Sequence, residues 1–490
     1  MGLLTPVELV EVSELGAVHF IAIGGSGMNG VASALLQLGV EVSGSDRQDS
    51  KYLRALEAQG ARVHVGHDAA QLGNAATVVA SSAIREDNPE LAEARRRGLR
   101  VLHRSAALGS IMLGRRGVAV AGTHGKTTTT AMISHVLTQV GADPSYVIGG
   151  ALTGTSTGGH IGGGDAFVVE ADESDGSFLQ YPAEIAVVTN VDPDHLSNWG
   201  TAENYADGFL QFVTGGSVRL VVISADDPGA VALTERLRAV ALTDRLRAVA
   251  LTERLRSRQG GERPTIVTYG ESESADVRIT DATFAGTGST FVLDGEPVRL
   301  NVPGAYNVWN AAATYAVALD LGADPAAVRA GLETYGGTYR RFQLIGTVDD
   351  IRVYDDYAHH PTEVANTLRA ARTGVGDSGR VVVCFQPHLY SRTRDFWREL
   401  AAALELADQA IVMDVCGDRE DPIPGIDGAM VATAVAPGTA AVTYEPDWDS
   451  AAPVVARIAR PGDLVITVGC GDVTKVAPLI VDALHRERDA

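Results

Sequence analysis

Cysteine is scarce in this sequence. Cys384, Cys416 and Cys470 are the three among 490 residues, and their wide spacing fits neither a metal site nor a disulfide framework. A reducing cytosol is the expected setting. Basic residues are also short: Lys and Arg total 40 against 61 Asp and Glu, a formal charge of −21. Broad adhesion to nucleic acid or to an anionic membrane needs a basic surface, so both partner classes are excluded. Small anions held by local loops are untouched by that argument. No apolar run is long enough to span a bilayer. The first residues, Met1 to Glu11, are acidic and lack a signal-peptide profile. The expectation is a cytoplasmic protein with no nucleic acid and no membrane partner.

What is present describes a globular chain with ample core, 45% hydrophobic and 21% charged. Its length suggests roughly three domains of about 100–200 residues each. The stretch that organises the rest is 117–137. Val118 to Ala121 are small and apolar, as in a short buried strand. Gly122, Thr123, His124 and Gly125 form a turn, Lys126 and the threonines Thr127 to Thr130 follow, and 131–137 reads as a helix. Strand, glycine loop, Lys-Thr and helix is the layout of a phosphate-binding loop, although Val120 stands where the full pattern has its first glycine. Loop amides and the helix N-terminus present N–H donors to an anion. In that layout Lys126 reaches the β- and γ-phosphates and Thr127 holds Mg²⁺.

Residues 18–23 read as a buried parallel strand. Gly25, Gly27 and Gly30 then give G-x-G-x-x-G before a helical stretch from Val31, and 39–46 is a second strand ending in Asp46. An acid there can hold a ribose hydroxyl, so an NAD site is one reading; the same geometry takes any diphosphate, including that of a UDP-sugar. Residues 75–84 give another strand, with Ser81 and Ser82 at the end where open α/β sheets bind ligands, although turn chemistry accounts for those serines equally well.

Two further strands end in polar clusters. One, at 166–170, runs into Glu170, Asp172, Glu173 and Asp175; the other, at 184–190, runs into Asp192, Asp194 and His195. Mg²⁺ takes oxygen ligands, so these ends are candidate metal sites, while any single acid also reads as a loop or cap residue. Asn307 and Asn310 share a helix face or straddle a helix start, with N-capping the simpler role. Farther on, strands at 351–356, 380–385, 409–414 and 463–469 alternate with Ala- and Leu-rich helices, which indicates a third doubly wound sheet. They deliver Asp355, Asp356, Tyr357, His359 and His360, then His388, Arg392 and Arg394.

One feature carries no evident chemistry. The nonapeptide 230–238 recurs at 239–247, with Asp244 for Glu235, and again at 248–256. Nine helical residues turn about 900°, half a turn beyond two full ones. Copies one and three therefore share a face while copy two points Val240, Leu242 and Leu246 the opposite way. A single unbroken helix cannot bury all three stripes on one core. Either the helix breaks between copies, or copy two meets solvent or a partner.

Taken in order, residues 23–28, 122–130, 170–175, 340–343, 356–361 and 386–388 make the chain resemble the Mur ligase family over nearly its whole length. The resemblance implies an α/β protein of three domains: a Rossmann-like UDP-sugar domain at 1–112, a central P-loop ATPase domain at 113–335, and a Rossmann-like amino-acid domain at 336–490. It implies ATP and Mg²⁺, the small-molecule substrates UDP-N-acetylmuramate and L-alanine, ligation through an acyl phosphate in peptidoglycan precursor synthesis, and a monomer or homodimer. By matching motif, it places ATP on residues 122–128, Asn307, Asn310, Arg341 and Asp356. It places the sugar nucleotide on Gly25, Ser26, Gly27, Met28, Asp46, Ser81 and Ser82, and metal on Thr127, Glu170 and His195, with Glu173 a rival for Glu170. Lys126, His195, Tyr357, His388 and Arg392 are the implied reacting-centre residues. Two positions depart from the family pattern: Tyr306 stands for a His and Leu389 for an Arg.

Three other readings stay open on the sequence. A sibling ligase would attach a recycled peptide to the same sugar nucleotide. An NAD-dependent oxidoreductase would explain Gly25, Gly27 and Gly30 but neither Lys126 nor the acidic strand ends. A nucleotide-switch protein would explain the phosphate loop alone.

Overall fold

The computed structural model describes residues 3–150, 157–251, 264–376, 379–418 and 420–489. The fold is α/β, built on three sheets whose central strands come from the runs picked out above. In the first, Val18–Ile21 lies at the centre, fully buried. Val42–Asp46 and Thr77–Ala80 flank it, and Arg62–Val65 and Arg100–His103 form the edges, all parallel. Strands buried on both faces read as unbroken apolar runs, which is why they were legible. The helix after the first strand is longer than expected. It spans Ser26–Gln37, so Gly27, Met28 and Gly30 are helical rather than loop residues. Gly30 permits close packing there, since a Cβ would stand 3.0 Å from Val147 Cγ1.

The second sheet is centred on Arg116–Ala121. Ala166–Glu170 pairs with it on one side and Ile185–Val188 on the other, both parallel. Leu220–Ser224 and Thr265–Gly270 continue beyond Ile185–Val188. The register sets Val120 against Glu170 and Ala121 against Val188, so the phosphate loop and both acidic loops leave the same edge of the sheet. The third sheet runs Gln343–Val348, Ile351–Asp356, Leu464–Val468, Val381–Phe385, Gln409–Val412, Ala441–Tyr444, with only the first pair antiparallel.

By packing, the chain forms two compact units: Met1–Thr280 with Val292–Glu296 and Trp309–Leu332, and Asp281–Phe291 with Pro297–Val308 and Glu333–Ala490. The boundary expected at about 112 falls inside the first unit, between its two sheets. The helix Tyr306–Asp320 contains both Asn307 and Asn310, so neither caps it.

The tandem nonapeptides lie on one helix, Pro228–Leu251, which does not break at either junction between copies. Copy one buries Ala230, Leu233, Thr234 and Leu237, the stripe of an amphipathic helix. Residues 252–256, the end of copy three, lie outside the described residues. Continuity sharpens the phase argument. Deleting two copies removes 18 residues, about five whole turns, and keeps the downstream face; deleting one removes about two and a half and reverses it. The two-copy deletion is expected to fold and remain active, and the one-copy deletion to melt at a lower temperature. Equal melting temperatures would show that the segment is not a packed continuous helix.

Candidate active site

The phosphate loop is shaped by its glycines. Gly122 has φ of +137° and Gly125 φ of +84°, backbone that L side chains rarely adopt. A Cβ on Gly122 would lie 2.0 Å from Thr189 Oγ1. Asn190 braces the loop from both sides: the His124 amide donates to its Oδ1 at 2.8 Å, and its Nδ2 donates to the His124 carbonyl at 2.9 Å. Thr123 Oγ1 donates to the Asp192 carbonyl at 2.7 Å. The helix Lys126–Gln139 begins directly after. Thr129 Oγ1 donates to Asn310 Oδ1 at 3.0 Å, and a Cβ on Gly125 would meet that same oxygen at 3.0 Å. Asn310 thus lies against the loop, and Thr128 is buried beside it.

The acids beyond Ala166–Glu170 divide their work. Glu170 Oε1 accepts from Thr127 Oγ1 at 2.8 Å, and its Oε2 from the Gly149 amide at 2.8 Å. Hydroxyl and carboxylate oxygen side by side form a donor set of the type Mg²⁺ prefers. Glu173, with a side chain 1% exposed, pairs instead with Lys126, Oε2 to Nζ 2.8 Å. Burial pushes the Glu173 carboxyl up to about 7 despite that cation. His195, at φ of +53°, sets its Nε2 3.4 Å from Asp194 and 3.9 Å from Glu173. The structure therefore brings Thr127 and Glu170 together, and places His195 beside Glu173.

In the first sheet, Asp46 is drawn onto the glycine turn: its Oδ2 accepts from the Gly24 amide at 2.9 Å. Ser82 Oγ donates to Asp175 Oδ2 at 2.5 Å and lies 3.2 Å from His103 Nε2. Burial, then the neighbouring Arg104, lowers the His103 imidazole to about 4. The Ser81 carbonyl accepts from the Ile84 amide at 3.1 Å, closing a turn. Arg104 was not anticipated. Its Nη1 lies 3.0 Å from where a Gly27 Cβ would be, and its Nη2 donates to Asp172 at 2.6 Å. Burial opposes ionisation of Asp172, but Arg104 and Lys126 outweigh it and hold this carboxyl below its ordinary range. Arg104 directly follows the strand Arg100–His103, and that strand-end position was the available signal.

The second compact unit gathers its own group. Asp356 is buried, and its carboxylate accepts from the Phe342 amide at 2.7 Å, the Ala358 amide at 2.8 Å and Thr367 Oγ1 at 3.2 Å. Burial, opposed by Arg341, raises it to about 6. The guanidinium carbons of Arg340 and Arg341 lie 4.9 and 5.0 Å from the centre of the Tyr357 ring. Arg340 is tied to Asp355 at 3.0 Å. His359 stands edge-on to Tyr357 and to His388, ring centres 5.5 and 6.1 Å apart. Leu389 has φ of +67° and ends the approach to the helix Tyr390–Leu404, whose first turn carries the buried Arg392. Asn307 Nδ2 donates to the Pro303 carbonyl at 2.7 Å. Tyr306 packs on the core of Phe342 and Tyr354.

Sequence comparison covers all three sheets. A model of the Mur ligase family catalytic domain matches residues 17–116, the Mur ligase middle domain 120–243, and the Mur ligase glutamate ligase domain 340–471. The UDP-N-acetylmuramate–L-alanine ligase of Cutibacterium acnes is 53% identical over 489 residues, 99% of both chains. This chain belongs to the Mur ligase family. Among solved structures, this Mur ligase is similar to the UDP-N-acetylmuramate–alanine ligase MurC of Thermotoga maritima, with a TM-score of 0.78, 26% identity, and coverage of 96% of this chain and 99% of that one. The murein peptide ligase of Psychrobacter arcticus gives a TM-score of 0.67 at 24% identity, covering 96% and 98%, and shares the fold. Among the described residues, no helix of this Mur ligase is long and apolar enough to cross a membrane.

Proposed function

We propose that this Mur ligase joins L-alanine to the carboxylate of UDP-N-acetylmuramate at the expense of ATP. The observation that carries the reading is the 53% identity, end to end, with a relative named for that reaction. The sibling reaction with a recycled peptide is the alternative. Product mass after incubation with L-alanine or with a tripeptide separates the two: the alanyl adduct supports the proposal, and a tripeptide adduct alone would replace it.

The chemistry starts from charge. A carboxylate is a poor acyl donor to an amine, so it is first converted to an acyl phosphate by the γ-phosphate of ATP. Lys126 neutralises charge on the transferring group. Thr127 and Glu170 have the oxygen donors to hold Mg²⁺, with His195 a third candidate; the ion would neutralise phosphate charge when bound. The residues 122–128 cradle the phosphates. Asn310 lies against that loop, and Asn307, Arg341 and Asp356 are assigned to nucleotide as well. The helix start at 25–28, with Asp46, Ser81 and Ser82, serves the sugar nucleotide, and Arg104 adds a cation on Gly27. The L-alanine amine must be deprotonated to attack, and His388 is the group assigned to accept its proton, with Tyr357 assigned to the same centre.

Arg392 is assigned to the alanine carboxylate, because Leu389 supplies no cation. Arg392→Ala is expected to raise the KM for L-alanine roughly tenfold or more, the loss of one charge-assisted hydrogen bond, and to leave the KM for ATP nearly unchanged. Steady-state kinetics with each substrate varied checks this. An effect confined to the ATP KM would reassign the loop.

A further inference from the structure

Lys126 has a partner that the reaction scheme does not use. An ammonium carries three N–H donors. Two of those on Lys126 go to the Gly122 carbonyl at 2.6 Å and the Thr123 carbonyl at 3.0 Å. Glu173 Oε2 stands 2.8 Å from the same nitrogen, with the two side chains 1% and 14% exposed. Two carbonyl hydrogen bonds and this ion pair hold the ammonium within the protein, folded back over its own loop. A phosphate oxygen at the loop competes with Glu173 for the same ammonium charge.

The Glu173 backbone is held in place. The Glu173 carbonyl accepts from Trp199 Nε1 at 3.0 Å and from the Gly176 amide at 3.2 Å. Next door, Asp172 is clamped by Arg104. The acid is anchored at its backbone on both accounts. Of the three contacts on Lys126, the carbonyls are neutral, while the carboxylate competes with a phosphate for the same charge. The carboxylate adds a full charge–charge attraction that the carbonyls lack, so Glu173 biases where the ammonium rests and how readily it leaves.

We propose that Glu173 is a positioning residue for Lys126: it holds the ammonium over the phosphate loop and yields it to the nucleotide. This rests on the reading that the 122–128 loop binds ATP. The consequence is an unusual pairing of effects. Removing the Glu173 charge frees Lys126 for phosphate and strengthens nucleotide binding, yet leaves the ammonium less well placed and slows the reaction.

The test measures calorimetric affinity for a non-hydrolysable ATP analogue and for AMP, which lacks the β- and γ-phosphates, together with kcat. For Glu173→Gln the analogue is expected to bind roughly tenfold tighter, the difference between a charged and a neutral competitor. AMP affinity should stay unchanged and kcat should fall. Glu173→Asp keeps the charge but sets it back by one methylene; it should shift both quantities in the same directions by less. A merely structural role moves analogue and AMP together, or weakens both, and either result overturns the proposal. Should Glu173→Gln melt well below the wild type, Glu173→Asp carries the same test, and weaker analogue binding there overturns it too. If the wild-type protein shows no preference for the analogue over AMP, the loop assignment itself fails, which is a different outcome from an unchanged preference in Glu173→Gln.

Discussion

Lys126→Ala abolishes ligation, with kcat falling by on the order of 10³ or more, while UDP-sugar affinity stays within about twofold of wild type. Removing one preorganised donor from a developing oxyanion costs about 10²–10³ in rate, and Lys126 carries a full charge besides. The helix start at 25–28 follows a strand of a different sheet, so sugar-nucleotide binding has no direct need of this ammonium. A second effect accompanies the first. Glu173 is buried against Lys126, and stripping a buried pair of one partner costs about 3–5 kcal/mol. Lys126→Ala should therefore melt below the wild type, and adding Glu173→Gln should recover much of that loss without restoring turnover. Melting curves and UDP titrations on both variants separate stability from chemistry. Near-normal turnover in Lys126→Ala would overturn the assignment of the phosphate loop.

Phe178→Ala is expected to destabilise the first compact unit by about 3–5 kcal/mol, the range for deleting a buried aromatic ring. Phe178 is fully buried. Its ring meets Trp199 and Phe209 edge-on at 6.2 and 5.3 Å and stacks on Phe212 at 5.1 Å. The Phe178 amide also donates to the Asp172 carbonyl at 3.0 Å, and Trp199 Nε1 donates to the Glu173 carbonyl. The aromatic cluster thus anchors the turn that presents both acids. Loss of the ring should lower the denaturant midpoint and also the affinity for nucleotide, because the turn that pairs Glu173 with Lys126 loosens with it. An unchanged midpoint would mean that the cluster does not hold this turn.

The framework of the fold was legible where its central strands are buried on both faces. Val118 to Ala121 and Val381 to Phe385 have no polar alternation to misread, and Gly122 marks where the first of them turns. The extent of the helix at Ser26–Gln37 was not legible, since glycines that look like loop residues are here tolerated inside a helix by close packing on Val147. Within the site, the types of residue were readable and their pairings were not. Glu170 and Glu173 are equivalent as letters near one strand end. Only the path of the turn after Glu170, fixed by Trp199 and Phe178, sends one acid to Thr127 and the other to Lys126. Asn307 and Asn310 suggested a cap, whereas Asn310 reaches Thr129 from within a helix. Arg104 was passed over because its role depends on Gly27 and Asp172, which are distant in sequence.

The central claim is that ATP hydrolysis in this protein is tied to joining two specific substrates. The most direct measurement is ADP release in the presence of Mg²⁺, UDP-N-acetylmuramate and L-alanine, with each component omitted in turn. The account predicts sustained ADP release only when all are present, one phosphate per alanyl product, and at most a single turnover without L-alanine. ADP release that continues unchanged without UDP-N-acetylmuramate or L-alanine would contradict it.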